Sequence, residues 1–298
     1  MKGIVIAGPT GVGKTDLSIK LAKALNADVL SADSAQVYVG MDIGTAKISK
    51  EEMDGVNHHM LDIVEPIKKY SVGDYQRKGD EVLNSLGDKN VLLVGGTGLY
   101  IDSLVRGLSA LPESNPTIRE ELMKEDGEKL FRILREVDPE SAESIHPNNK
   151  RRVERAVEVF YQTGEKFSIL SKKNIKGNNC KFLKVALERD RDYLYERINL
   201  RVDIMVKNGL LEEVQFLYKK YGENLKKINI IGYSEIIAYL EGELSLEEAI
   251  ELVKKNSRNY AKRQFTWFKN DQGYIWYDLD KMSEDEIFSD ILQRFNAL

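Results

Sequence analysis

The spacing of apolar residues over the first hundred positions predicts strands that alternate with helices. Short continuous apolar runs at 3–7, 28–32 and 91–94 predict buried strands. A helix is predicted to begin near residue 13, because apolar residues recur there at i, i+4, i+7 and i+8. That helical face comprises Leu17, Leu21, Ala24 and Leu25. Since strands that alternate with helices form parallel sheets covered on both faces, we expect an α/β fold.

The pattern changes after Leu111. Residues 112–116 (Pro-Glu-Ser-Asn-Pro) are typical of a turn-rich joint, and residues 117–172 predict helices only. A glycine- and asparagine-containing loop is expected at 177–179, and the apolar run at 182–187 predicts a return to the sheet. We therefore predict an all-helical domain inserted into a parallel-sheet core. The predicted boundaries are 1–111 for the first part of the core, 112–180 for the insertion and 181–298 for the second part of the core.

The last third of the chain is predicted to be mainly helical. The predicted elements are helices at 191–207, 210–219, 233–240 and 246–269 and a final strand at 273–277. In the first of these helices Leu194, Ile198, Val202 and Met205 fall on one face, which is expected to be buried.

Composition and charge add little that is specific to one function. The chain has 298 residues, of which 42% are hydrophobic and 31% charged, as in an ordinary globular protein. A single cysteine, Cys180, excludes an intramolecular disulfide and is typical of a reducing compartment. The first apolar run is too short for a signal peptide or a membrane span, so we expect a cytoplasmic protein that does not contact membranes. The net charge of −4 argues weakly against binding of nucleic acid. We also expect the protein to be a monomer.

The first predicted turn carries a phosphate-binding motif, the P-loop. Residues 8–15 match G-x-x-x-x-G-K-S/T between a strand and a helix, which is the context that this motif requires. Its glycines allow backbone N–H groups to approach phosphate oxygens, and the amino end of the helix favours the same anion. Lys14 is expected to reach the terminal phosphate oxygens and the Thr15 hydroxyl to face Mg²⁺. The predicted diphosphate-binding residues of the loop are Gly8, Pro9, Thr10, Gly11, Val12, Gly13, Lys14 and Thr15.

The residues after the other predicted strands differ from those of a typical nucleotide hydrolase. Such enzymes hold Mg²⁺ with an aspartate at the end of a buried strand, whereas the 91–94 strand is followed by Gly95-Gly96-Thr97-Gly98. The 28–32 strand is followed by Asp33, at the carboxyl edge where α/β proteins bind ligands. A structural role for Asp33 in capping a turn or helix stays open.

Several segments in addition to the P-loop together resemble the bacterial tRNA dimethylallyltransferases, also called tRNA isopentenyltransferases. The resemblance runs in order from about residue 4 to residue 269. Its most specific parts are Gly40–Lys47 and Ala261–Trp267. The other segments are Asp33–Tyr38, Leu93–Tyr100, Ile145–Asn148 and Gly232-Tyr233.

The resemblance implies transfer of a dimethylallyl group from dimethylallyl diphosphate to N6 of the adenosine 3′-adjacent to the tRNA anticodon. The P-loop would then hold a leaving diphosphate, with Mg²⁺ as the cofactor. A poor nucleophile such as adenine N6 needs a base, and by resemblance Asp33 fills that role. Lys14, Thr97 and Arg197 are the other implied catalytic residues, and Arg197 also binds diphosphate. Arg201, one helical turn further on, is an alternative to Arg197. The implied contacts to the tRNA base and arm are Ser34, Ala35, Gln36, Thr97 and Arg119.

Two clusters of cations predict surfaces that bind the tRNA backbone. Arg151, Arg152 and Arg155 open a helix, where the helix dipole by itself disfavours cations. Residues 254–269 carry six cations and no acid, with Lys262 and Arg263 near their centre. Most of the interleaved aromatic residues, Tyr260, Phe265, Trp267 and Phe268, are predicted to pack in the core. A solvated charged face stays open for both clusters.

Three other functions remain open from the sequence. A small-molecule kinase would share the P-loop, and a nucleotide-gated RNA-binding protein would share the cations. An adenylate isopentenyltransferase would use the same chemistry on free AMP. His58, His59 and His146 show no metal-ligand pattern and are predicted to be structural.

Overall fold

An all-parallel six-stranded sheet organises the larger part of the chain. The computed structural model describes residues 1–109, 111–173, 178 and 180–298. The strands are β1 Lys2–Ala7, β2 Asp28–Ala32, β3 His58–His59, β4 Val91–Gly95, β5 Lys181–Glu188 and β6 Ile275–Asp278. Their order across the sheet is β3-β2-β4-β1-β5-β6, so β1 lies between two strands that are distant in sequence. All carboxyl ends therefore lie along one edge of the sheet.

Both faces of the sheet are covered. In β1, Val5 and Ala7 belong to one buried cluster, whereas Ile4 and Ile6 belong to another. Ile4 lies opposite Leu92 of β4 on one side and Leu183 of β5 on the other. Successive side chains of a strand point to opposite faces, so a continuous apolar run is what a doubly covered strand requires.

The helices of the sheet-containing part come from the segments of the sequence before and after the helical insertion. They are α1 Lys14–Leu25, α2 Lys50–Met53, α3 Val72–Leu86, α4 Gly98–Val105, then α10 Arg191–Lys207, α11 Leu210–Tyr221, a 3-10 helix Gly222–Ile228, α12 Tyr233–Leu240, α13 Leu246–Lys269 and α14 Glu284–Asn296.

The remaining helices form a unit of their own. They are α5 Pro116–Lys124, α6 Gly127–Val137, α7 Pro139–Ser144, α8 Lys150–Thr163 and α9 Phe167–Leu170. The chain divides into two compact units, one made of Met1–Val105 with Asn179–Leu298 and the other of Arg106–Asn178. These bounds lie a few residues before those predicted from the sequence. Within the helical unit Leu130, Leu134 and Val153 form the centre of a separate apolar core.

Most predicted elements are confirmed, and so is the fold class of a parallel-sheet core with a helical insertion. The elements that were not predicted are the short strand β3, the helices α2, α3, α4 and α14 and the 3-10 helix. The last strand begins at Ile275, two residues later than expected. The predicted α1 face is partly wrong, because Ala24 is exposed while Ile19 and Ala22 are buried. Ile19 belongs to the same apolar cluster as Ile287 and Ile291 of α14, so α1 is covered on a second side. Of the loop expected at 177–179, only Asn178 belongs to the described residues.

No helix in the described ranges is long and apolar enough to cross a membrane.

Candidate active site

The carboxyl edge of the sheet brings the predicted chemistry together. The glycine-rich loop follows β1, Asp33 follows β2, and Gly96-Thr97 follow β4. Because β4 lies between β1 and β2 in the sheet, all three loops are neighbours. The sheet order therefore joins segments that lie up to ninety residues apart in the sequence.

The backbone of the glycine-rich loop adopts conformations that favour glycine. Gly8, Gly11 and Gly13 have φ angles of 148°, 79° and 110°, in the region that L side chains rarely adopt. Two arginines hold the outward-facing carbonyls of this loop. Arg197 Nε donates to Gly11 O at 2.9 Å, and Arg189 Nε donates to Val12 O at 3.0 Å. The sequence did not indicate Arg189, which is separated from the loop by the whole insertion.

Lys14 begins α1 and lies within the same loop. Its Nζ donates to the carbonyls of Gly8 at 2.9 Å and Pro9 at 2.8 Å. Burial and, to a smaller extent, the nearby Arg201 guanidinium lower the pKa of Lys14 to about 8, against the opposing effect of the Asp33 carboxylate. A lysine whose charge is disfavoured in this way gains most from an anion that binds beside it.

Arg197 and Arg201 both line the cavity in front of the glycine-rich loop. Burial lowers the pKa of Arg201, and the carboxylates of Asp33 and Glu52 act in the opposite direction. No hydrogen-bond acceptor for the Arg201 guanidinium occurs among the described residues. An arginine stays charged even when it is mostly buried, so this group favours an anionic ligand. The two arginines that the sequence offered as alternatives are thus both available to one anion.

The Asp33 carboxylate serves a local turn with only one of its oxygens. Oδ1 accepts a hydrogen bond from Ala35 N at 2.9 Å, which is the turn-capping interaction left open above. No helix begins there, since residues 34–37 form turns. In the described part of the chain Oδ2 accepts no hydrogen bond. One oxygen of Asp33 therefore remains for a ligand while the other maintains the turn.

Thr97 and Gln36 support the segment that follows Asp33. Thr97 Oγ1 accepts from Ser34 N at 3.0 Å and donates to Ser34 Oγ at 3.3 Å. Gln36 Oε1 accepts from Ser31 Oγ at 3.1 Å, which ties its side chain to strand β2. The side chains of Thr97 and Gln36 are thus engaged within the protein, and Ser34 and Ala35 line the adjoining cavity.

Two cavities meet at Asp33. One, of about 560 Å³, is lined by the glycine-rich loop, Lys14, Thr15 and Arg197. The other, of about 390 Å³, is lined by Ser34, Ala35 and residues of α12 and α13. The side chains common to both linings belong to Thr10, Asp33, Arg201 and Met205. A carboxylate at the junction can thus contact a ligand in either cavity.

A carboxylate from α11 anchors the loop that borders both cavities. Glu213 accepts hydrogen bonds from the backbone N–H groups of Asp42, Ile43 and Gly44 at 3.0, 2.7 and 3.0 Å. The Tyr233 hydroxyl donates to the same carboxylate at 2.5 Å. No sequence pattern indicates this role, because Glu213 resembles any charged residue on an amphipathic helix.

In the helical unit, some of the arginines predicted to contact tRNA have hydrogen-bond partners within the protein and others do not. Arg155 donates to Glu158 Oε2 at 2.8 Å and also to the carbonyl of Pro112. Arg119, Arg151 and Arg152 are exposed, and no acceptor for their guanidinium groups occurs within the described residues. The helix N-cap is Asn149, whose side chain accepts from Arg152 N at 3.4 Å. The three exposed arginines are therefore available to an external anion, and the tRNA contact of Arg155 stays a prediction.

Helix α13 carries the second basic cluster. Lys262 and Arg263 are exposed, and the Arg263 guanidinium lies 5.5 Å from the ring centre of Tyr260. Lys254 pairs with Asp203 at 2.8 Å and with Glu251 of its own helix at 3.0 Å, and Lys269 pairs with Glu188 at 2.9 Å. Asp203 and Glu188 belong to other elements. These partners reduce the number of cations that can contact phosphate.

The prediction that most of the α13 aromatic residues pack in the core is wrong, since Phe268 is the one of the four that does. Phe268 is fully buried, whereas Phe265 is 36% and Trp267 46% exposed. Tyr260 lines the cavity beside Ser34. One apolar stripe per helix faces the core, and residues 261, 264 and 268 occupy it here.

The side chains near the glycine-rich loop that could bind a metal ion do so through oxygen atoms. Thr15, Asp16, Asp33, Asp42 and Glu52 line this cavity. Among the described residues no three histidine, cysteine or acidic side chains form a metal-binding group. Mg²⁺ is usually held by one or two carboxylates together with phosphate oxygens and water, so the residues present fit Mg²⁺ bound with a diphosphate.

Comparison with known proteins identifies the family. A family model described as IPP transferase matches residues 36–271. The tRNA dimethylallyltransferase of Fusobacterium nucleatum subsp. nucleatum is 58% identical over 295 residues, covering 99% of this chain and 97% of that one.

Two solved structures are similar over the whole chain. A tRNA isopentenylpyrophosphate transferase from Bacillus halodurans is 40% identical with a TM-score of 0.73, covering 99% of this chain and 97% of that one. A eukaryotic dimethylallyltransferase acting on tRNA is 28% identical with a TM-score of 0.82, covering 99% of this chain and 80% of that one. The chain belongs to the IPP transferase family.

Proposed function

We propose that this protein transfers the dimethylallyl group of dimethylallyl diphosphate to N6 of the adenosine 3′-adjacent to the tRNA anticodon, releasing diphosphate. The observation that carries the proposal is the position of Asp33 at the junction of two cavities. One cavity is lined by Lys14, Arg197 and Arg201 and suits an anionic donor. The other adjoins the exposed cations of α13 and suits a nucleobase. Family membership and the named activities of the relatives agree with this assignment.

In the proposed reaction the bond between adenine N6 and the allylic carbon forms while the allylic C–O bond breaks. The electron pair of the C–O bond moves to the diphosphate oxygen. The N6 proton moves to Asp33, whose Oδ2 is free of hydrogen bonds within the described chain. A positioned carboxylate suits this step, because the N6 lone pair is delocalised into the ring and attack is helped by loss of the proton.

The residues of the first cavity stabilise the leaving group. Negative charge grows on the diphosphate as the C–O bond breaks, and preorganised cations act most strongly where charge develops. Lys14, Arg197 and Arg201 supply positive charge there, together with the backbone N–H groups of residues 11 and 13–15. Mg²⁺ held by Thr15 and the diphosphate would neutralise part of the same charge.

The residues of the acceptor side bind tRNA. Ser34 and Ala35 border the base, and Thr97 holds that segment in place. Gln36 is proposed as a tRNA contact from the resemblance alone, because its side chain lines the donor cavity and accepts from Ser31 Oγ. An adenosine inside a stacked loop is inaccessible, so it must leave its stack to reach Asp33. The proposed phosphate contacts are Arg119, Arg151, Arg152, Arg155, Lys262 and Arg263.

We also propose that the protein acts as a monomer in the cytoplasm, where its tRNA substrate is found. Light scattering at the concentrations used for the activity assay tests the oligomeric state.

The deciding experiment incubates the protein with tRNA, dimethylallyl diphosphate and Mg²⁺ and measures the mass of the digested tRNA nucleosides. We expect one adenosine beside the anticodon to gain a dimethylallyl group without consumption of ATP. Parallel incubations replace tRNA by AMP, or the donor by ATP. Modification of AMP but not tRNA would support the adenylate enzyme, and ATP-dependent phosphorylation would support a kinase. Binding of tRNA without modification of any nucleoside would support an RNA-binding protein that performs no transfer.

A further inference from the structure

A buried glutamine of α13 connects two of the loops at the carboxyl edge of the sheet. Gln264 Oε1 accepts a hydrogen bond from Thr10 N at 2.9 Å. Its Nε2 donates to Gly96 O at 3.0 Å. The side chain is 5% exposed, so water does not replace either partner. A single amide thus joins the loop after β1 to the loop after β4.

The loop after β4 is shaped to receive this side chain. A Cβ atom at Gly96 would overlap the Gln264 amide nitrogen, and a Cβ atom at Gly98 would overlap the Trp267 indole. The Trp267 Nε1 also donates to Asp102 Oδ2 at 3.2 Å. Gln264 and Trp267 lie one helical turn apart on the same face of α13, and through these two side chains the helix packs on this loop.

One of the joined loops lines the donor cavity, and the other contacts Ser34, which lines the acceptor cavity. Thr10 lies where the cavities meet, together with Asp33 and Arg201. Gly96 immediately precedes Thr97, which accepts the hydrogen bond from Ser34 N. The distance between the donor-side loop and the acceptor-side loop therefore depends on the Gln264 amide.

We propose that Gln264 is a positioning residue that sets the distance between the diphosphate and the attacking adenine. The inference rests on the proposed function. A neutral amide of this length can accept from Thr10 N and donate to Gly96 O at the same time, and its loss would remove the partner of the buried Gly96 carbonyl and of the half-buried Thr10 N–H. Bond formation between two substrates is sensitive to such spacing, since a displacement of about 1 Å can cost about 10²-fold in rate.

The first test separates binding from chemistry in two variants, Gln264→Leu and Gln264→Ala. We expect the single-turnover rate at saturating tRNA and donor to fall by about 10²-fold. The dissociation constants of both substrates should stay within a few-fold of wild type, because the groups that bind them are retained. Glu247→Gln, an exposed change in the first turn of the same helix, is the control and should leave the rate unchanged.

The second test uses the close fit between Gly96 and Gln264. Gly96→Ala should slow the wild-type protein at least about tenfold, because the new methyl group displaces the amide. In the Gln264→Ala background the same change should cost much less, since the overlapping side chain is gone and only a close contact of 3.3 Å with Gly8 O remains. The double variant should therefore be far more active than independent effects would predict. Gly96→Ala also tests the inference alone if the Gln264 variants do not fold.

The outcomes distinguish this inference from the proposed function. An active wild type with a Gln264→Leu rate within about twofold of normal would overturn the inference alone, and so would independent effects of Gly96→Ala and Gln264→Ala. A wild-type protein that transfers no dimethylallyl group to tRNA would overturn the proposed function, and with it the role of Gln264.

Discussion

The Thr97 hydroxyl accepts a hydrogen bond from the Ser34 backbone N–H at 3.0 Å and so connects the end of one strand to the residue after Asp33. Thr97→Val keeps the shape but removes the acceptor. We expect a loss of at least about fivefold in single-turnover rate, since a hydrogen bond of this kind contributes about 1 kcal/mol. Thr97→Ser keeps the hydroxyl and should stay within about twofold of wild type. Equal rates for the Thr97→Val and Thr97→Ser variants would show that the hydrogen bond between Thr97 and Ser34 does not position Asp33.

Asp33→Asn tests the base. Asparagine keeps an oxygen for the hydrogen bond from Ala35 N, so the turn should survive. It cannot take a proton, and the single-turnover rate should fall by about 10² to 10⁴-fold. Affinities for tRNA and donor should change only a few-fold. A near-normal rate would place the base elsewhere or proton removal after the rate-limiting step.

The pKa of Lys14 predicts a pH dependence of donor binding. Burial and the Arg201 charge lower this pKa to about 8, so in the free protein Lys14 loses its charge as the pH rises through that value. A bound diphosphate favours the protonated form. Affinity should therefore fall above pH 8, by up to about tenfold per pH unit, and binding should take up a proton.

Calorimetric titration with dimethylallyl diphosphate between pH 7 and 9, in buffers of different ionisation enthalpy, measures both effects. Lys14→Ala should abolish the proton uptake and reduce the transfer rate at least about 10²-fold, as expected when a donor to developing charge is removed. Proton uptake that persists in Lys14→Ala would assign the titration to another group.

Salt titrations test the tRNA surfaces. Replacing Arg151 and Arg152, or Lys262 and Arg263, by Ala should weaken tRNA binding, with a log–log salt slope that falls by about one per lost phosphate contact. Donor affinity should hardly change.

The matched control for these variants is the double replacement of Lys172 and Lys173 by Ala. These lysines pair with Glu140 and Glu165, so their charges are already balanced within the helical unit. Their loss should leave the slope unchanged. A control that flattens the slope as strongly as the arginine pairs would show that net charge, not a specific surface, determines binding.

Glu213→Gln tests the anchor of the loop that borders the cavities. The amide cannot accept all four hydrogen bonds that the carboxylate receives, and at least one buried donor should lose its partner. We expect a loss of about 1 to 3 kcal/mol in the free energy of unfolding and a raised KM. The neighbouring, exposed Glu212→Gln should cost less than about 0.5 kcal/mol in chemical denaturation. Equal stabilities of the two variants would contradict the role of Glu213.

The sequence alone determined which segments form the sheet and where phosphate can bind. Continuous apolar runs predicted β1, β2, β4 and β5, because strands buried on both faces contain few polar residues. The glycine-rich loop was predictable for a local reason, since its glycines, Lys14 and the helix start are contiguous. Asp33 was predicted as a candidate because it directly follows a strand whose carboxyl end faces ligands.

Only the tertiary structure decided which of these residues meet and which are occupied elsewhere. The strand order placed β4 between β1 and β2, so Thr97 contacts Ser34 across sixty-three positions of sequence. Gln264, Glu213 and Arg189 act on loops far away in the chain, and no local pattern marks such partners. Charge balance was partly hidden in the same way, because Asp203 pairs with Lys254 and Glu188 pairs with Lys269 from other elements. Periodicity and motif spacing describe neighbours along the chain, whereas a buried hydrogen bond depends on neighbours in space.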